Sequence, residues 1–164
     1  MNRPTVRVGI GYDVHRLAHG LPLVLGGVGL KHDRGPEAHS DGDVLAHAIG
    51  DALLGAAALG DLGTHFPDRD PQWRGVSSLK LLEAIRAMLT GRGASIVNVD
   101  ATVIAETPRL EPHVDAMRDA MAHALGVPRA RVSVKATTNE RLGALGREEG
   151  IAALAVALVE VSAE

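Results

Sequence analysis

The stretch that most constrains this chain is its last one. Ile151 to Val161 is apolar on both faces of an extended strand, and Ile151 to Val159 is apolar without a break. A half-exposed strand alternates polar with apolar residues, so a run like this needs cover on both sides and predicts a buried, central strand. At well under the ~20 residues of a membrane-spanning helix, it cannot be read as a transmembrane segment.

The elements that can cover it are few. Thr5 to His15 alternates, with Val6, Val8, Ile10, Tyr12 and Val14 against Arg7, Gly9, Gly11, Asp13 and His15, and predicts a first strand. Leu21 to Leu25 predicts a second, ending in a glycine-rich turn, and Lys31 to Glu37 a polar loop. A helix is expected from Ser40 or Asp41 to about Leu59. Ser40 and Asp43 have capping-box spacing, and Leu45, Ile49, Leu53 and Ala56 form the apolar stripe. Asp43, His47 and Asp51 lie off that stripe at i, i+4, i+8. Gly60 to Gly63 ends the helix, and Phe66 to Trp73 reads as a loop.

Another helix is expected after Ser77 or Ser78 and ends at Gly91 and Gly93, and a strand follows from Ser95 to Ala105. A further helix begins near Pro112 and is closed by Gly126 and Pro128. Arg131 to Thr137 is a strand, and Asn139 to Gly150 a glycine-rich polar segment. The expected fold class is α+β: a two-layer sandwich, with helices on one face of a mixed four- to five-stranded sheet. Its helices are used up covering one face. A second copy of the chain would have to cover the last strand's other face.

The 164 residues are expected to form one domain, 1–164. Lys and Arg total 17 and Asp and Glu 20, so the net charge of −3 offers no basic surplus for nucleic acid. With no cysteine, thiolate zinc sites, iron–sulfur clusters and cysteine nucleophiles are excluded. The start, Met1-Asn2-Arg3-Pro4, lacks a hydrophobic leader core, and the expected address is the cytoplasm, with no membrane partner. Aromatic residues are 2% of the chain, so the core must be built from Leu, Val and Ala in closely packed elements.

Eight histidines and no cysteine leave imidazole and carboxylate as the ligands for any transition metal. Asp13 and His15 sit side by side on one face of the first strand, and His47 lies on the helix that follows. An Asp/His/His set supplies the three protein ligands of a catalytic zinc with an open fourth position; a solvated strand end is the plain alternative. His39 and Ser40 stand at a helix start, where free amides attract anions, although Ser40 also suits an ordinary cap. Asp61 and the carboxylates from Phe66 to Asp70 suit a polyol or plain solvent. Lys135 to Glu140 suits phosphate and a hard cation, or a simple turn. No P-loop, G-x-G-x-x-G or G-x-S-x-G motif is present.

Taken in order, several blocks resemble one family. They are Gly11-Tyr12-Asp13-Val14-His15, Ala38-His39-Ser40-Asp41-Gly42-Asp43-Val44, Asp51 to Ala56, and Gly60-Asp61-Leu62-Gly63 with Phe66-Pro67-Asp68. Pro108-Arg109-Leu110, Pro112-His113, Val134 to Thr138 with Glu140, and Glu149 to Ala152 complete them. The chain is similar to the 2-C-methyl-D-erythritol 2,4-cyclodiphosphate synthase family of the non-mevalonate isoprenoid pathway.

The resemblance implies a homotrimer with active sites between neighbours. It also implies a phosphorus–oxygen lyase that cyclises 4-diphosphocytidyl-2-C-methyl-D-erythritol 2-phosphate with release of CMP. It makes Asp13, His15 and His47 zinc ligands, Glu140 the ligand of a magnesium or manganese ion, and His39 and Thr138 the groups that stabilise the transition state. Ser40, Asp61, Gly63, Phe66, Asp68 and Asp70 would contact the erythritol phosphate. Ala105, Thr107, Pro108, Arg109, Leu110 and Glu111 would form the cytosine pocket of a neighbouring subunit, largely through backbone groups. Thr137, Ala144 and Arg147 complete the implied substrate contacts. Arg109, Ala144 and Asn139 depart from the family's frequent Lys, aromatic and Thr. The rival readings are a metal-dependent phosphohydrolase, for which His32-Asp33 is a weak pointer, and a zinc-stabilised trimeric binding module.

Overall fold

The computed structural model describes residues 5–162, so Met1 to Pro4 lie outside the described residues. A long strand, β1 (Thr5–His19), leads into a hairpin of β2 (Leu23–Leu25) and β3 (Val28–Leu30) and then strand β4 (Arg34–Pro36). Helix α1 (Val44–Ala56), the single turn α2 (Leu62–His65) and helix α3 (Ser78–Gly91) follow. The chain continues through β5 (Ala94–Ile104), α4 (Val114–Leu125), β6 (Val132–Thr137), the turn α5 (Gly143–Gly146) and β7 (Gly150–Val161).

The main sheet has five strands in the order β4-β1-β7-β5-β6. Only β5 and β6 are parallel. Helices α1, α3 and α4 pack on one face, giving the expected α+β layering. The doubly apolar run is the central strand, as its composition requires, with Ala153, Ala155, Ala157 and Val159 fully covered.

The polar and glycine side of β1, not its apolar side, faces the helices. Gly9 and Gly11 are buried under α1, and Asp13 and His15 continue the same row. A Cβ at Gly11 would stand 1.9 Å from the Ala48 carbonyl oxygen, and one at Gly9 2.0 Å from that of Ala52. Ala48, Ala52, Ala153, Ala155 and Ala157 are fully or almost fully buried in this layer. Helix and sheet approach this closely only because no side chain intervenes, which is how the core closes with so few aromatic residues.

Val6, Val8, Ile10, Tyr12 and Val14 therefore point outward. Register sets Ile10 opposite Val156 and Tyr12 opposite Leu154, also outward. Val8 is 68% exposed and Ile10 72% exposed, in the middle of a continuous apolar sheet face.

Three local expectations need correction. The segment Lys31 to Glu37 is not all loop, because β4 pairs there with the end of β1, from Leu17↔Pro36 to His19↔Arg34. Helix α1 starts at Val44, and its cap is Asp43 rather than Ser40 or Asp41. Asp43 is fully buried and accepts the Ala46 N–H at 3.0 Å, the Gly26 N–H at 2.9 Å and the Gly27 N–H at 2.7 Å. A buried carboxylate with three backbone donors ties the β2–β3 turn to the helix start, an arrangement a local capping rule does not anticipate. Helix α1 is also buried well beyond a single stripe, with Ala46, Gly50 and Leu54 covered too.

Candidate active site

Strand β1 and helix α1 bring Asp13, His15 and His47 together where the glycine row ends. Beyond Gly11 the row carries side chains again, and these meet the first turn of α1. His47 Nδ1 lies 2.9 Å and His15 Nε2 3.2 Å from Asp13 Oδ2, and the two imidazole nitrogens are 3.4 Å apart. One ligand atom from each residue lies within 4.8 Å of the others. One oxygen and two nitrogens gathered this closely form a group that can hold a metal ion.

The electrostatics suit a cation. Burial pushes the Asp13 carboxyl up, but hydrogen bonds and positive charge from His15 and His47 outweigh it and hold the group well below the usual carboxylate range. Burial alone would lower His47, but its bond to Asp13 and the charges of Asp13, Asp43 and Asp41 raise it. On its other side, His47 Nε2 is 2.8 Å from Ser78 Oγ and 3.2 Å from Ser40 Oγ.

A cleft of about 450 Å³ opens over this cluster, and Asp13, His15, His39, Ser40, His47, Gly63, Phe66 and Asp68 line it. His39 is held by its carbonyl, which accepts the Gly75 N–H at 2.9 Å. Its Nε2 is buried with no partner among the described residues, a nitrogen left for a ligand.

Asp61 and Asp70 do not line the cleft. Asp61 caps α2 through Thr64 N–H at 2.8 Å, and Asp70 caps the short turn Pro71–Trp73. Their hydrogen bonds shape the loop that carries Gly63, Phe66 and Asp68. The bonds from Thr64 hold the Asp61 carboxyl below its ordinary range.

The remaining candidates gather elsewhere. Ala105, Thr107, Pro108, Arg109, Leu110 and Glu111 line a second hollow of about 470 Å³ with Thr137 and Thr138. Glu140 follows with its N–H 3.2 Å from Thr138 Oγ1 and a left-handed φ of 51°. The two hollows have no lining residue in common. Ala144 and Arg147, on and just after α5, line neither of them, and Arg147 pairs with Glu149 at 2.6 Å.

Trp73, Asp51 and Ser78 are not among the expected site residues, and the first two line the cleft. Trp73 meets Phe66 edge to face at 5.0 Å and walls the cleft, although its segment reads only as loop. Asp51 lines the cleft and accepts the Leu62 N–H at 2.8 Å. Burial raises its carboxyl, as do the charges of Asp61 and Asp13. Its i+4 spacing from His47 was the available signal. Ser78 is 1% exposed and reads as a helix start, but its hydroxyl reaches His47.

Known proteins resemble this chain over nearly its whole length. The YgbB family model matches residues 6–160. The 2-C-methyl-D-erythritol 2,4-cyclodiphosphate synthase of Synechococcus elongatus is 56% identical over 153 residues, covering 93% of this chain and 96% of that protein. A solved 2C-methyl-D-erythritol-2,4-cyclodiphosphate synthase in its CDP-bound form superposes with a TM-score of 0.86 at 38% identity, covering 93% of this chain and 99% of that one. The bifunctional IspDF from Campylobacter jejuni gives a TM-score of 0.93 at 40% identity, covering 98% of this chain and 43% of that longer one.

Proposed function

The chain belongs to the YgbB family, and on that premise we propose that it converts 4-diphosphocytidyl-2-C-methyl-D-erythritol 2-phosphate to 2-C-methyl-D-erythritol 2,4-cyclodiphosphate and CMP in non-mevalonate isoprenoid biosynthesis. The observation that carries this reading is the convergence of Asp13, His15 and His47 beneath a cleft flanked by His39 and Ser40.

An oxygen of the 2-phosphate forms a bond to the β-phosphorus of the diphosphate arm. The bond from that phosphorus to the oxygen bridging it to the α-phosphorus breaks, and CMP leaves with the electron pair. A phosphate dianion is already a nucleophile and needs no general base. The site must instead hold two anions in line and spread their charge.

Asp13, His15 and His47 would hold zinc, and their one-oxygen, two-nitrogen donor set fits that ion. When bound, zinc supplies Lewis-acid polarisation of the β-phosphate. His39, with its unpartnered Nε2, donates to a phosphate oxygen as charge builds on it. Ser40, Gly63, Phe66 and Asp68 hold the erythritol phosphate, and Asp61 and Asp70 keep their loop in shape.

The hollow from Ala105 to Glu111 receives cytosine, largely through backbone groups, with Thr137 alongside. Thr138 steadies the transferring phosphoryl group. Glu140 would hold a magnesium or manganese ion, which would supply positive charge against the phosphates. Ala144 and Arg147 complete the proposed contacts from the turn at α5.

A homotrimer brings the two hollows together, the metal half of one copy meeting the cytosine half of the next. The outward apolar face of β1 and β7 supports this assembly, since a patch so large calls for cover. Residues 1–164 act as one domain in this reading, and a cytoplasmic address goes with it. No helix among the described residues is long and apolar enough to cross a membrane.

Phosphorus NMR of the protein with this substrate, zinc and magnesium in ¹⁸O-water tests the proposal. The expected products are equal amounts of CMP and a cyclic diphosphate free of ¹⁸O. An open-chain phosphate product carrying ¹⁸O would show a hydrolase instead. No turnover by folded, zinc-loaded protein would leave a binding module.

A further inference from the structure

We propose that Ser78, backed by Asp41, is a positioning residue that sets the tautomer and ring orientation of His47. The inference rests on the reading that Asp13, His15 and His47 hold a metal, and it concerns groups behind that site.

Ser78 opens α3 and is almost wholly buried. Its backbone N–H donates to Asp41 Oδ2 at 2.9 Å, and its hydroxyl bonds to Asp41 Oδ1. Asp41 Oδ1 also accepts the Asp43 N–H at 3.1 Å. A carboxylate accepts and does not donate, so the single proton of the Ser78 hydroxyl goes to Asp41. What Ser78 Oγ then presents to His47 Nε2, 2.8 Å away, is a lone pair. That contact is a hydrogen bond only when Nε2 carries the hydrogen.

The consequence appears on the far side of the ring. With hydrogen on Nε2, neutral His47 has its lone pair on Nδ1, the atom 2.9 Å from Asp13 Oδ2. Two lone pairs facing each other at that distance repel unless a cation or a proton lies between them. The chain Asp41–Ser78–His47 thus aims the nitrogen lone pair at the place where a metal would sit. Hydrogen bonds to the outer nitrogen of a ligating imidazole commonly serve this purpose. Asp41 also ties α3 to the loop before α1, so the element that carries Ser78 is fixed against the one that carries His47.

The test separates this role from helix capping, because Ser78→Ala keeps the backbone bond to Asp41 and removes only the hydroxyl. Two readouts apply: zinc affinity by chelator competition, and the imidazole ¹⁵N shifts of neutral His47 in metal-free protein. Wild type should show hydrogen on Nε2. Ser78→Ala should move it toward Nδ1, where Asp13 accepts it, and weaken zinc binding by roughly 10–100-fold. Ser78→Thr, which keeps the hydroxyl, should restore both.

An unchanged tautomer and unchanged zinc affinity in Ser78→Ala would overturn the proposal, whatever happens to thermal stability. Wild-type protein that takes up no zinc would end the metal-site reading, and the tautomer comparison would still decide the role of Ser78. If Ser78→Ala does not fold, Ser78→Cys carries the same test, because a thiol is a weak partner for Nε2–H.

Discussion

At the scale of single residues, the site depends on opposed ionisations. Asp13 is held below its ordinary value of 3.8, and His47 is raised above its ordinary 6.5. The stability that comes from Asp13 is present above 3.8 and is lost as pH falls through its depressed value. The stability from His47 is complete below 6.5 and is lost as pH rises through its raised value. Metal-free protein should therefore draw most support from this pair between those two ordinary values. Zinc must displace the His47 proton, so its affinity should climb about tenfold or more per pH unit until the raised value is passed. Chelator competition over a pH series measures this, and a flat profile across about pH 5–7 would show that His47 is not a ligand. Asp13, His15 and His47 were legible in the sequence because strand and helix periodicities put each on a polar row. Ser78 was not, because a serine at a helix start already has a sufficient local explanation in capping. Only the fold shows that its hydroxyl faces His47.

At the scale of elements, the chain is organised by the contact of α1 with the glycine row of β1. Gly11→Ala would push a methyl group into the Ala48 carbonyl at 1.9 Å. Overpacking against backbone should cost about 3 kcal/mol and lower Tm by roughly 6–12 °C. It should also weaken metal binding, since the same strand and helix carry Asp13 and His47. A calorimetric Tm within about 1 °C of wild type would show that α1 can shift without cost.

The long elements follow from their periodicities, and α3, β5, α4 and β7 lie close to where the sequence puts them. Strand β4 does not, because three residues containing a glycine and a proline carry no alternation. It is made by pairing with β1 and not by its own propensity. The sidedness of β1 was equally hidden. Alternation separates two faces without saying which is covered, and here the glycine face packs against the helix while the apolar one points away.

At the scale of the whole molecule, the apolar sheet face and the divided set of site residues are what the proposed trimer would join. Ile10 stands near the middle of that face and is 72% exposed in one chain. Ile10→Glu should leave the far-ultraviolet circular dichroism unchanged. It should convert the proposed trimer to monomer in sedimentation velocity and abolish cyclisation. Full activity from a monomeric variant would mean that one chain holds a complete site. The uncovered apolar face was legible in the last strand, because no helix remained to cover its second side. The division of the site was legible only through the family resemblance, because sequence order does not reveal that residues 105–111 line a hollow separate from that of Asp13 and His47 in one copy.

In the proposed trimer a cyclising site forms only where the metal half of one copy meets the cytosine half of the next. Subunit complementation tests it most directly. His47→Ala and Thr138→Ala proteins, each inactive alone, are unfolded together, refolded as mixed trimers and assayed for CMP release and the cyclic product. Random mixing in a closed ring pairs an intact metal half with an intact partner half at about one quarter of all sites, so about a quarter of wild-type activity should return. Mixed trimers as inactive as either parent would contradict the account.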